Sequence, residues 1–204
     1  MVAVIDYGCG NPSSVINIVR RAGGEAILTR NPVEILKADK VILPGVGSFD
    51  YGVSKLLEYN LFNIIKEFGS TEKPILGICL GMQLLGNSSE EGILKGLGLI
   101  DANFIKFANV DSQIKIPHVG WNTLKIISSN KLFLNFDIDD IKFYFVHSFY
   151  AKCQTPTNML TLTEHGNDFV SSFYNGRNIF GVQFHPEKSH KYGLKLIANF
   201  LNLQ

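Results

Sequence analysis

The sequence predicts an α/β fold with a mostly parallel central sheet, helices flanking it and antiparallel additions. Three observations lead there. Short β-branched runs alternate with helical segments through the first half, the pattern of βαβ units and hence of parallel strands. From about Asn103 the runs shorten and alternate apolar with polar residues between polar turns, as antiparallel strands do. Finally, 204 residues with 46% apolar and 18% charged content suit one domain, 1–204, with a core that needs neither disulfides nor metal.

Each element has its own signal. Val2–Ile5, Glu25–Leu28, Val41–Leu43 and Pro74–Ile78 are apolar runs bounded by turn residues, as expected of buried strands. Val15–Ala22 follows Asn11-Pro12-Ser13-Ser14, a good helix-capping region. Phe49–Phe68 carries apolar residues at three and four spacing and predicts two helices broken near Asn60. Further on, Phe143–Val146, Met159–Thr163, Phe169–Tyr174 and Ile179–Gln183 are predicted as antiparallel strands. Lys191–Leu203 closes the chain as a helix with Leu196, Ile197, Phe200 and Leu201 on one stripe.

Composition excludes several partners. A net charge of +1 without any Lys/Arg cluster gives no pull toward nucleic acid or anionic lipid. Nor does the chain contain about eighteen consecutive apolar residues or a leader-like amino terminus, so a soluble, unprocessed, cytoplasmic protein is expected. Three widely spaced cysteines, Cys9, Cys79 and Cys153, do not form a disulfide framework and fit a reducing compartment. No cofactor is implied. His118 and His147 lack a further ligand at metal spacing, so they are expected as hydrogen-bonded strand histidines; His165 and His190 are expected to face solvent.

The chemistry concentrates in two motifs. Pro74–Leu85 reads as a strand, a tight Gly77-Ile78-Cys79-Leu80-Gly81 turn and a helix, a nucleophile elbow with sulfur in place of oxygen. Glycines leave room beside the nucleophile, and the helix start favours negative charge there. Alone, the motif fits a small buried cysteine equally well. Downstream, Gln183-Phe184-His185-Pro186-Glu187 ends a strand; Pro186 keeps His185 extended, so His185 and Glu187 can project to a common side. A thiol nucleophile needs an imidazole to exchange its proton and a carboxylate to orient that imidazole. Leu43-Pro44-Gly45-Val46-Gly47-Ser48 is a candidate oxyanion strand, the Val46–Gly47 peptide and the Leu80 N–H being the donors, although an ordinary strand-to-helix turn would look the same. Asp6–Asn11 lacks the G-x-G-x-x-G spacing of a dinucleotide loop.

Taken together, P-G-V-G, G-I-C-L-G-M-Q and Q-F-H-P-E, in that order across nearly the whole chain, resemble the class I (triad) glutamine amidotransferases, a family of flavodoxin-like architecture. The resemblance implies that Cys79 forms a glutamyl thioester, His185 is general base and acid, Glu187 orients it, and Gly45 and Gln83 bind L-glutamine. Ile5–Gly8 with Gly10-Asn11, Ser89–Gly92, Lys95–Ile100, Pro117–Asn122, Tyr144–Tyr150 and His185–Ser189 resemble, within that family, the glutaminase subunits of imidazole glycerol phosphate synthase. That likeness implies a (βα)8-barrel cyclase as heterodimer partner, with Asn11, Trp121, Tyr144 and Lys188 as interface residues, and low activity until the partner binds its own substrate. Pro12 and Ser48 depart from the family's usual leucine and alanine, and Asp111–Ile116 matches no motif. Two alternatives remain open: a paralogous glutaminase serving another synthase, such as a sugar amidotransferase, and a free-standing γ-glutamyl hydrolase.

Overall fold

The computed structural model describes residues 1–108, 114–137 and 141–203; Asp111, Ser112 and Gln113 of the unmatched segment lie outside them. Four parallel neighbours, β2 (Ala26–Thr29), β1 (Val2–Ile5), β3 (Lys40–Leu43) and β4 (Ile75–Ile78), start the main sheet. β13 (Ile179–Val182) lies beside β4, and antiparallel strands β12 (Asn167–Tyr174), β10 (Phe149–Cys153) and β6 (Ala102–Lys106) continue outward. β5 (Ser88–Ser89) ends that path, while β11 (Met159–His165) and β8 (Lys125–Ile126) branch from β12.

Burial on both faces explains the continuous apolar runs. Ala3, Ile5, Val41, Leu43 and Ile75 enter one core cluster, whereas Val2, Val4, Ile42, Leu76 and Ile78 enter the other. A period of two divides each strand between two cores. Helices α2 (Pro32–Lys37), α3 (Phe49–Glu58) and α4 (Leu61–Gly69) supply Ile35, Phe49, Leu56, Ile65 and Phe68 to the first. α1 (Pro12–Arg21) and α6 (His190–Leu201) supply Val15, Val19, Leu196, Ile197 and Phe200 to the second.

Several expectations shift. Helix α1 begins at Pro12 rather than Val15, with the Asn11 Oδ1 accepting from the Ser14 N–H at 3.3 Å. Proline suits the first helical turn because no N–H is needed there and its φ is already helical. α2 was not expected at all. The break near Asn60 is present, Asn60 adopting φ 57°, the left-handed region that ends one helix and lets the next start at Leu61. β13 is a central strand, parallel to β4 and antiparallel only to β12. Lys142–His147 (β9), which contains Phe143–Val146, leaves the main sheet and pairs with His118–Thr123 (β7) in a separate two-stranded ribbon.

Candidate active site

The meeting of cysteine and histidine follows from the β4–β13 pairing. Ile78 lies opposite Val182 in parallel register, and the Cys79 N–H donates to the Val182 carbonyl at 2.8 Å. Both chains therefore leave the sheet side by side at their carboxyl ends, where open α/β sheets place their ligands. Cys79 has φ 53° and ψ −110° and immediately precedes α5 (Leu80–Leu85). A non-glycine residue held at positive φ costs about 1–3 kcal/mol and persists only where the surroundings enforce it. Here a Cβ on Gly81 would overlap the Leu43 carbonyl oxygen, and one on Gly77 would crowd Gly81 and Leu85. The glycines are required by the close approach of α5 to the sheet.

His185 follows β13 and is 1% exposed. Its Nδ1 bonds the Glu187 Oε1 at 2.7 Å, Glu187 lying on a 3-10 turn, Pro186–Lys188. The His185 carbonyl accepts from the Ser189 hydroxyl at 2.6 Å, and its N–H donates to Tyr144 O at 2.9 Å. Burial opposes charge on this imidazole, but the neighbouring Cys79 sulfur and the Glu187 carboxylate bonded to it outweigh burial and push the pKa up to about 10. Nε2 is buried without a completed hydrogen bond; it is the nitrogen left for the sulfur once Glu187 holds Nδ1.

Two further groups touch the sulfur. The Gln183 Nε2–H donates to Cys79 Sγ at 3.7 Å, and Sγ lies 3.9 Å from the Val146 carbonyl. Gln83 donates to Gln183 Oε1 at 3.4 Å. Gln183 was not singled out from sequence, although it precedes His185 by two and so shares its side of an extended chain.

A pocket of about 260 Å³ opens over Cys79, with Val46, Gly47, Leu80, Gln83 and Glu91 among its walls. Gly47 has φ 122°, where a side chain would be strained. Gly45 does not line the pocket: it is buried where a Cβ would overlap the Tyr7 hydroxyl and crowd Leu80. Glu91, a residue that sequence reasoning placed only within a motif, is a pocket carboxylate whose Oε2 accepts from the Phe49 N–H at 2.8 Å. His185 and Glu187 are not part of the pocket lining.

The four expected interface residues divide into a cluster and an outlier. Trp121 faces Tyr144 across the β7–β9 ribbon at 6.4 Å, and Lys188 Nζ lies 5.6 Å from the Tyr144 ring centre. Asn11 is exposed and caps α1, which packs against the Pro186–Lys188 turn. Neither Cys9 nor Cys153 lines this pocket; burial first, then Asp101, pushes the Cys153 thiol up to about 12. Among the described residues no group of three or more His, Cys, Asp or Glu could hold a metal ion, and no helix is long and apolar enough to cross a membrane.

Comparison with known proteins gives the same picture. The chain is 52% identical over 202 residues to imidazole glycerol phosphate synthase subunit HisH 2 of Methanococcus maripaludis, covering 98% of both chains. It is 41% identical to the HisH subunit of Bdellovibrio bacteriovorus, again over 98% of each. Among solved structures, PurLQS from Thermotoga maritima superposes with a TM-score of 0.73 at 21% identity, over 98% of this chain and 97% of that one. The glutaminase domain of Trypanosoma brucei CTPS with bound acivicin matches with a TM-score of 0.66 at 15% identity, over 100% and 94%; at such identity these two speak for the fold alone. The model of the glutamine amidotransferase class-I family matches residues 3–203, and the chain belongs to that family.

Proposed function

We propose that this chain is the glutaminase subunit of an imidazole glycerol phosphate synthase, a single domain that releases ammonia from L-glutamine for a separate cyclase. One observation carries the chemistry: a cysteine strained at a strand-to-helix elbow under an open pocket, beside a histidine whose other nitrogen is held by a buried carboxylate. Full-length similarity to the HisH subunits supports the choice of synthase.

The Cys79 thiol passes its proton to His185 Nε2 and the sulfur attacks the amide carbon as thiolate. The carbonyl oxygen becomes an oxyanion stabilised by the Leu80 N–H and the Val46–Gly47 peptide. His185 Nε2 then gives its proton to the departing nitrogen, the C–N bond breaks, and ammonia leaves a glutamyl thioester. A water that donates its proton to Nε2 attacks the thioester, the C–S bond breaks, and glutamate and thiolate are regenerated. Gln83 and Glu91 bind the amino-acid end, the Glu91 carboxylate complementing the substrate ammonium. Asn11, Trp121, Tyr144 and Lys188 face the cyclase, a (βα)8 barrel.

The test mixes the purified chain with a candidate cyclase and follows glutamate release with and without the cyclase's ribotide substrate. Strong acceptor-dependent stimulation, abolished in Cys79→Ala, is expected. Stimulation by a different synthase alone would move the chain to another pathway. Brisk turnover without any partner would make it a free hydrolase.

A further inference from the structure

Beside the triad, a second set of buried polar rings borders the pocket. His118 on β7 and His147 on β9 are 4% and 6% exposed and stand opposite one another in the ribbon. His118 Nδ1 and His147 Nε2 are 3.0 Å apart, His147 Nδ1 lies 2.9 Å from the Phe149 carbonyl oxygen, and Asn122 Nδ2 lies 3.1 Å from His118 Nε2. Asn122 Nδ2 also donates to the Glu164 carbonyl at 2.8 Å, and its Oδ1 accepts from the Thr123 N–H at 2.8 Å.

These contacts settle every proton. A carbonyl only accepts, so His147 carries its hydrogen on Nδ1 and its Nε2 is a lone pair when neutral. His118 must then donate from Nδ1, leaving its own Nε2 to accept from Asn122. The result is a one-way chain, Asn122 to His118 to His147 to the Phe149 carbonyl. Pro117, His147, Ser148 and Phe149 line the pocket over Cys79, so the chain ends in the pocket wall. Both rings are neutral at ordinary pH: burial, then the charge of His165, lowers His118 to about 4, and burial lowers His147 to about 3, against the bond to Phe149 and together with the charges of His118, His165 and His185. Protonation of His147 would set two N–H groups head to head. His165 stacks on His118 at 4.2 Å and is itself tied to the Lys115 carbonyl at 3.0 Å, which encloses the pair.

We propose that His118 and His147 are positioning residues for substrate binding: their directional hydrogen-bond chain holds the His147–Phe149 wall in the shape that receives glutamine. This rests on the glutaminase reading above. The wall contacts the bound substrate in its ground and transition states alike, whereas Cys79, His185 and Glu187 carry the bond-making. Loosening it therefore raises KM and spares kcat.

The test compares His118→Phe, which keeps a ring but removes both nitrogens, with His118→Asn, whose Nδ2 can replace the donor to His147, by glutamate release from the complex of the chain with its synthase partner, the partner's own substrate present. Leaving His147 Nε2 buried and unpaired in His118→Phe is expected to raise the KM for glutamine about tenfold at nearly unchanged kcat, with most of the loss restored in His118→Asn. An unchanged KM in both variants, or an equal rise in both, overturns the proposal. Nitrogen-15 imidazole spectra of the wild-type chain decide the matter should His118→Phe not fold: both rings neutral with hydrogen on Nδ1 is expected, and any other tautomer overturns the chain. A wild type that neither hydrolyses nor binds glutamine overturns the glutaminase reading and this proposal with it; hydrolysis with KM indifferent to His118 overturns this proposal alone.

Discussion

His185 illustrates how one environment sets both stability and chemistry. Burial disfavours its charge, yet Cys79 and Glu187 together push its pKa to about 10, above the ordinary histidine value near 6.5. A raised folded-state pKa contributes stability that is fully present below the unfolded value and is lost as pH rises through the folded one. Glu187→Gln, which removes one of the two groups responsible, is thus expected to destabilise most at pH 6 and progressively less toward pH 10, as read by urea unfolding at several pH values. A pH-independent difference would separate Glu187 from the charge on His185. The same substitution is expected to lower kcat about 10²–10⁴-fold, because the imidazole loses the group that orients it. At this scale the sequence was informative about local geometry: the cysteine elbow before α5 and the contact between His185 and Glu187 two residues on are both present in the structure. It was silent on Gln183 and Glu91, ordinary polar residues whose roles come from what tertiary packing places opposite them.

Elements carry those residues to one another, and their junctions are the sensitive points. Gly193, in the first turns of α6, sits where a Cβ would overlap the carbonyl oxygen of Pro186. Because the obstacle is backbone, Gly193→Ala must move either the helix or the turn that bears Glu187. A destabilisation of about 2 kcal/mol or more is expected from such overpacking, with a matching fall in melting temperature and loss of glutamate release; an active variant of wild-type stability would show that α6 does not set the turn. Three of the first-half strands, β1, β3 and β4, were legible because burial on two faces leaves continuous apolar runs, and the ends of all four, the edge strand β2 included, differ in the structure by a residue at most. Six-residue α2 was missed since it is too short to show a helical period, although Asn31 before Pro32 is a capping signal, Asn31 Oδ1 accepting from the Val33 N–H at 2.9 Å. The direction of β13 was misread for a different reason: alternation shows that a strand exists and says nothing of its neighbour, which here is β4, some hundred residues earlier.

Across the whole molecule, the active-site end of the sheet also presents apolar surface. Trp121 is 46% and Val119 56% exposed, and the two lie on one face of β7, separated by a single residue. Trp121 stacks on His190 at 5.5 Å and within 6° of parallel, so its ring is already fixed before anything binds. The neighbouring strand's Tyr144 carries the Lys188 ammonium over its ring while its carbonyl accepts the His185 N–H. Surface aromatics held rigid beside a cation are the residues that most often concentrate binding energy in protein interfaces. Their separation from the triad by one backbone hydrogen bond was not visible in sequence, since it depends on the β7–β9 ribbon folding over the end of β13. Trp121→Ala is expected to weaken association with the synthase partner about tenfold or more, measured by titration of the partner into the chain. The half-exposed ring contributes little to the core, so the free chain should lose about 1 kcal/mol or less in unfolding stability. Undiminished association with a large loss of stability would make Trp121 a packing residue of the ribbon and move the docking face elsewhere on the molecule.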